Sequence, residues 1–160
     1  MPSYGGFWRR FVAFLIDTIV LNIVFYIIMA IIGFGGPAQF MQIDANGEAA
    51  LGTGYWTFLG ISLVLQWLYF AILESSEWQG TLGKRALGMS VTDLDGRRIS
   101  FGRATGRYFA KIISGLILLI GYLMIAFTER KQGLHDMIAS TLIFKASPSD
   151  LVNTNAEVFS

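Results

Sequence analysis

The feature that most limits the fold is a run of 22 residues, 11–32, that carries one formal charge, Asp17. As a helix it extends about 33 Å, enough to cross a hydrocarbon core of about 30 Å. Two further apolar stretches follow. Residues 55–73 have no charge, and residues 110–127 have one, Lys111. A single such block suits the buried helix of a soluble protein; three in 160 residues point to a membrane-embedded chain. The charged fraction agrees, at 14% against roughly 25% in soluble domains. With 54% hydrophobic residues most of the chain is not disordered. The absence of cysteine excludes disulfides, zinc-thiolate sites and a cysteine nucleophile. A net charge of +1 gives no reason to expect nucleic acid. Arg9 and Arg10 resemble the basic start of a signal peptide. The apolar run behind them is too long, however, and passes into Gly33–Pro37 rather than a cleavage site, so a retained helix is expected.

Charge between the blocks is asymmetric. Residues 33–54 hold no Lys or Arg, only Asp44 and Glu48. Residues 74–111 hold Lys84, Arg85, Arg97, Arg98, Arg103, Arg107 and Lys111. The positive-inside rule places the N-terminus and the 74–109 region in the cytoplasm and 33–54 outside. Arg103, Arg107 and Lys111 recur every four residues, which predicts one basic stripe on an interfacial helix over 101–114 lying at the headgroups. Ser114-Gly115 is the expected break. The remaining 13 residues, 115–127, reach only about 20 Å, short of a comfortable crossing. Two readings stay open for the third embedded segment: a single crossing, or a broken or re-entrant hairpin that returns the chain to the cytoplasm. Arg130 and Lys131 favour the second.

Asp95-Gly96 between residues 89–94 and 97–101 predicts a cytoplasmic β-hairpin over 89–101 with a type I′ turn and an Asp93–Arg98 cross-strand pair. Residues 146–160 read as a loose polar tail. The expected architecture is therefore an all-α membrane protein, one domain over 1–145, with two full transmembrane helices, a third embedded segment and a small cytoplasmic hairpin.

Few residues carry recognisable chemistry. Gly83-Lys84 is no phosphate loop, because Trp78 stands where a glycine is needed and Arg85 where Ser or Thr is needed. Lys84, Arg85, Arg103, Arg107 and Lys111 are instead expected to meet lipid headgroups. His135 is the only histidine, so no histidine-rich metal site is expected; a capping or hydrogen-bonding role, or a proton relay, is open to it. No catalytic constellation and no cofactor motif appears, so no enzyme is expected. Asp17 is the outlier: a carboxylate within an apolar helix costs at least ~2.5 kcal/mol unless paired, hydrated or protonated. Arg10 lies two turns earlier on almost the same face, about 10 Å away along the axis, so a water or third residue is expected between them. Thr18, Asn22 and Tyr26 continue the polar positions, and Ser62 and Gln66 are candidates to face them. A buried network that locks helix packing and a cation or proton site are equally compatible with these residue types.

The chain resembles the RDD family of small bacterial membrane proteins. The resemblance rests on Arg10-x-x-Ala13-x-x-x-Asp17, on Gly80-Thr81-Leu82-Gly83-Lys84-Arg85-Ala86-Leu87-Gly88, on Asp95-Gly96 with Ser100-Phe101-Gly102-Arg103-Ala104, and on Gly133-Leu134-His135-Asp136-Met137-Ile138-Ala139-Ser140-Thr141. Ser140 stands where the family more often has glycine. The resemblance covers about residues 7–145. It implies a bacterial cytoplasmic membrane location, Arg10, Asp17 and Asp136 as the three named residues, and, if they cluster, a cytoplasmic C-terminus. It also implies either of two roles. One is cation/proton exchange, in which Asp17, Thr18, Asn22, Asp136 and His135 serve Na+ or H+ within a homo-oligomer. The alternative is a non-transporting scaffold or accessory subunit, bound to a membrane-protein partner, with Arg10, Asp17 and Asp136 as a structural polar clamp. A carboxylate dyad is disfavoured by the arginine beside it. Single cysteines placed in the tail should be labelled by a membrane-impermeant maleimide only after the cytoplasmic face is opened. Labelling from outside would reject both the hairpin topology and the clustered three-residue site.

Overall fold

A computed structural model describes residues 3–34, 37–116 and 120–152. Two helices dominate, α1 (Phe7–Ile31) and α3 (Thr53–Ser75). At 25 and 23 residues they reach about 38 and 35 Å, and both are long and apolar enough to cross a membrane. Their apolar side chains are mostly on the surface, Ile19, Ile23, Ile27 and Val64 among them, which is the pattern of lipid-facing helices rather than of a soluble core. Gly33, at φ +67°, ends α1 by adopting the left-handed conformation that lets the Phe34 N–H reach back 2.9 Å to the Met29 carbonyl.

Between them lie a short helix α2 (Pro37–Phe40) and an antiparallel pair, β1 (Met41–Ile43) and β2 (Ala49–Leu51). The Asp44 carboxylate closes this pair by accepting the Asn46 and Glu48 N–H groups, both at 2.9 Å. After α3 come α4 (Leu82–Ala86), β3 (Ser90–Asp93), α5 (Phe101–Leu116), α6 (Ile120–Phe127), α7 (Leu134–Ile138) and β4 (Thr141–Phe144). The chain forms two compact units, Thr18–Leu68 and a second made of Met1–Asp17 with Tyr69–Ser160. In the first, Phe58 stands edge-on to Phe25 and Phe40, with ring centroids 4.7 and 5.7 Å apart. In the second, Met89, Val91, Ile99, Ala104, Leu142 and Ile143 are buried around a set of charged side chains.

Three expectations are corrected. The fold is mostly helical but not all-α, since it holds two small antiparallel sheets. The 89–101 hairpin does not form. β3 pairs instead with β4, Val91 opposite Ile143 and Thr92 opposite Leu142. The Asp93 carboxylate accepts the Asp95 and Arg97 N–H groups at 2.9 and 2.8 Å, so the Asp-Gly segment closes as a side-chain-capped turn and the chain then leaves. Burying Val91 against Ile143 outweighs the local turn preference, and Asp93 lies 3.8 Å from Arg103 rather than pairing with Arg98. The N-terminal segment joins the other edge of β4 through Gly5 N–H to the Ile143 carbonyl, 2.8 Å, and Lys145 N–H to the Ser3 carbonyl, 2.7 Å.

The third correction concerns the break. α5 runs through Ser114-Gly115, with the Ser114 hydroxyl donating to the Ala110 carbonyl at 3.0 Å. Residues 117–119 lie outside the described residues. The chain nonetheless doubles back, because the Tyr122 hydroxyl reaches the Lys111 carbonyl at 3.3 Å, whereas eleven residues of continuous helix would separate them by about 16 Å. At the C-terminus, Ser147 and Asp150 cap a short turn and Leu151 is buried, so the tail is packed at least to that point.

Candidate functional site

Asp17 is buried on α1 and takes three donors from later in the chain. The Tyr69 hydroxyl and the Gly83 N–H, each at 2.8 Å, donate to Oδ1; the Thr81 hydroxyl donates to Oδ2 at 2.6 Å. Thr81 is also the N-cap of α4, its hydroxyl accepting the Lys84 N–H at 3.4 Å. The carboxylate therefore meets the first turn of α4 through the Gly83 N–H and the N-cap hydroxyl of Thr81. Gly83 makes the fit possible. A Cβ there would come within 2.1 Å of the Ala13 carbonyl oxygen, so only glycine lets α4 press against α1.

A second, larger cluster forms around Arg107 on α5, which is almost wholly buried. Its Nη1 lies 2.6 Å from Glu74 Oε2 at the end of α3, and its Nε lies 2.9 Å from Asp136 Oδ1 in the first turn of α7, which Nη2 also contacts. One planar guanidinium thus bridges two carboxylates. Arg10 pairs with the other Asp136 oxygen, donates from Nε to the Gly5 carbonyl at 2.8 Å, and reaches the Lys131 carbonyl. The same oxygen accepts the Gly133 N–H at 3.1 Å. Lys84 pairs with Glu74, and Lys111 stands 3.4 Å from the same carboxylate and 4.1 Å over the Phe70 ring. Four cations, Arg10, Lys84, Arg107 and Lys111, thus surround two carboxylates, Glu74 and Asp136.

Protonation follows from this crowding. Burial opposes ionisation of Asp136, but Arg107 and then Arg10 outweigh it and hold its pKa well below the usual carboxylate range. Burial and then Arg107 push Lys84 down to about 7 against the pull of Glu74. His135 is buried with its ring centroid 5.0 Å from that of Tyr122 and its Nε2 3.5 Å from Asp136 Oδ1; burial pushes its pKa down to about 3. Its Nδ1 has no hydrogen-bond partner among the described residues. No group of three His, Cys, Asp or Glu that would suit a metal ion occurs among the described residues.

The structure brings Arg10, Asp136 and His135 together but gives Asp17 a separate set of partners. The expected bridge from Arg10 to Asp17 is absent from the described hydrogen bonds, because each side chain is met by a different later segment. The Asn22 amide donates to the Thr18 carbonyl within α1 at 2.7 Å. The Ser62 hydroxyl likewise donates to the Leu59 carbonyl at 2.8 Å. The basic stripe forms, but two of its three residues, Arg107 and Lys111, face the other way. Lys84, Arg107 and Lys111 turn inward to Glu74 and Asp136 rather than to headgroups. Arg85 and Arg103 remain exposed, Arg85 with its guanidinium 4.4 Å over the Trp78 ring. Glu74, Tyr69 and Thr81 were missed as site residues. The only sequence signal for Glu74 is its place directly after an apolar block that the stripe of cations follows.

These features define a membrane protein of two apolar helices whose polar segments gather around buried ion pairs. The sequence profile of the RDD family matches residues 4–140, and the chain belongs to that family. It is similar to three proteins of Bacillus subtilis (strain 168). The uncharacterized protein YxaI is 40% identical over 149 residues, covering 89% of this chain and 98% of that one. The uncharacterized membrane protein YteJ is 29% identical over 147 residues, covering 88% and 80%. The uncharacterized protein YckC is 29% identical over 155 residues, covering 91% and 87%. No solved structure matches.

Two outcomes are expected. Glu74→Gln leaves Arg107, Lys84 and Lys111 short of a counter-charge and should destabilise by about 3–5 kcal/mol, the range for a broken buried pair, read as a lower thermal midpoint in detergent. The His135 pKa is lower folded than the 6.5 of the free side chain. Its neutral form therefore supports the fold fully above pH 6.5, and stability is lost as pH falls toward 3. His135→Gln should flatten the decline of the midpoint between pH 6.5 and 4; an unchanged profile would exclude His135 as its source.

Proposed function

We propose that this protein is a non-enzymatic, non-transporting scaffold or accessory subunit of the bacterial cytoplasmic membrane, in which Arg10, Asp17 and Asp136 form two polar clamps. Its N- and C-termini both face the cytoplasm in this reading, and its partner is a membrane protein or a second copy of the chain. The observation that carries it is how both aspartates are satisfied. Asp17 accepts from Tyr69, Thr81 and Gly83, and Asp136 accepts from Arg10, Arg107 and Gly133. Every one of these partners is a donor within the chain. A small cation needs several free oxygens, and at Asp17 it would have to displace three donors. At Asp136 it would meet two guanidinium groups. The clamp reading therefore has better support than cation/proton exchange.

The test is reconstitution into liposomes carrying a sodium gradient and an internal pH-sensitive dye. No sodium-driven proton movement above that of empty liposomes is expected. Asp17→Asn and Asp136→Asn should each lower the thermal midpoint, since a buried donor left unpaired costs about 1–3 kcal/mol. A flux that Asp17→Asn abolishes while leaving the midpoint unchanged would overturn the clamp and restore the exchanger.

A further inference from the structure

α5 is amphipathic in the reverse of the usual sense. Its buried face carries Ala104, Arg107, Ala110 and Ser114, with Lys111 among them. Its opposite face carries Phe109, Ile112, Ile113 and Leu116, which are 52, 43, 48 and 77% exposed. At 100° per residue these four fall within one arc of the helix, roughly opposite Arg107 and Lys111. In a soluble protein the apolar arc would point inward and the charges outward.

The surroundings say what covers the arc. Tyr108 stacks near Phe70, with centroids 6.1 Å apart, and Lys111 sits over the same Phe70 ring and beside Glu74. α5 therefore packs on the final turns of α3, a helix long and apolar enough to cross the membrane. There α3 presents Ile72, 51% exposed, outward. The apolar arc of α5 therefore lies beside the end of a membrane-crossing helix, on the side of α5 turned away from these contacts. The charged side needs no water, because Glu74 and Asp136 meet it from within.

We propose that α5 lies in the leaflet in which α3 ends, with Phe109, Ile112, Ile113 and Leu116 against lipid acyl chains and Arg107 and Lys111 turned into the protein. The proposal rests on α3 crossing the bilayer, and holds whether the protein is a scaffold or an exchanger. Since the chain has no cysteine, single cysteines at positions 109, 112, 113 and 116 can each carry a nitroxide label in phosphatidylcholine/phosphatidylglycerol liposomes. Collision rates with oxygen, which concentrates among acyl chains, and with a water-soluble nickel chelate are then compared. Position 64 on α3 and position 97, in the exposed segment after β3, serve as the lipid and water references. The expected result is an oxygen-to-nickel ratio at all four positions close to that at 64 and well above that at 97. Ratios matching position 97 would overturn the proposal by placing the arc in water. Low collision with both reagents would overturn it by placing a protein surface there. A water-like ratio at 64 itself would mean that α3 does not cross, a failure separable from that of α5.

Discussion

The guanidinium of Arg107 holds the second unit together. It contacts both Glu74, at the end of α3, and Asp136, at the start of α7. An arginine withdrawn from water is costly unless its donors are used and its charge is met. Here Nε, Nη1 and Nη2 all find carboxylate oxygens. The remaining members follow from that choice. Asp136, once placed, has an oxygen for Arg10 and caps its own helix through the Gly133 N–H. Glu74 has an oxygen for Lys84, which brings α4 in, and Lys111 reaches it from one turn further along α5. Each pair alone would scarcely repay desolvation; their interlocking fixes where α1, α3, α4, α5 and α7 stand within this unit.

The second constraint is steric. Asp17 and Gly83 form one joint, because the carboxylate receives the Gly83 N–H only where the α4 backbone lies against the Ala13 carbonyl. A charge on α1 and a missing side chain on α4 thus solve the same packing problem. The two clamps are linked through four residues of chain: Thr81 and Gly83 hold Asp17, while Lys84 holds Glu74.

How much of this the sequence displayed depends on how local the physics is. The apolar blocks 11–32 and 55–73 announced α1 and α3, because length and polarity alone decide whether a helix suits a bilayer. The four-residue spacing of Arg103, Arg107 and Lys111 announced one helix face correctly. Spacing fixes which residues share a face, not which way the face points, and in a bilayer the usual inside–outside rule no longer decides it. The pairing of Val91 with Ile143 was hidden because 52 residues separate the partners while a strong turn signal sat next to β3. Glu74 looked like an ordinary polar flank until α5 and α7 closed over it. Ser140 is a subtler case. It adopts φ +52°, a conformation that glycine enters freely and serine rarely does, so glycine would suit this position better on backbone grounds.

The same reasoning explains how so many charges coexist with so apolar a chain. A lone lysine or arginine beside lipid tails is expelled toward the headgroups. Arg107 and Lys111 escape that fate because two acids on other elements, Glu74 and Asp136, come to them. Once the charges are matched inside, the outer arc of α5 is free to be wholly apolar, with Phe109, Ile112, Ile113 and Leu116 exposed. Internal ion pairing and an apolar outer surface are therefore one arrangement seen from two sides. Remove an acid, and the cation it held must either lose its proton, as Lys84 can near neutral pH, or draw water in; an arginine has only the second course. This asymmetry is why a bridging arginine rather than a lysine suits the centre of the cluster: its charge cannot be shed, so a dry interior has to bring acids to it.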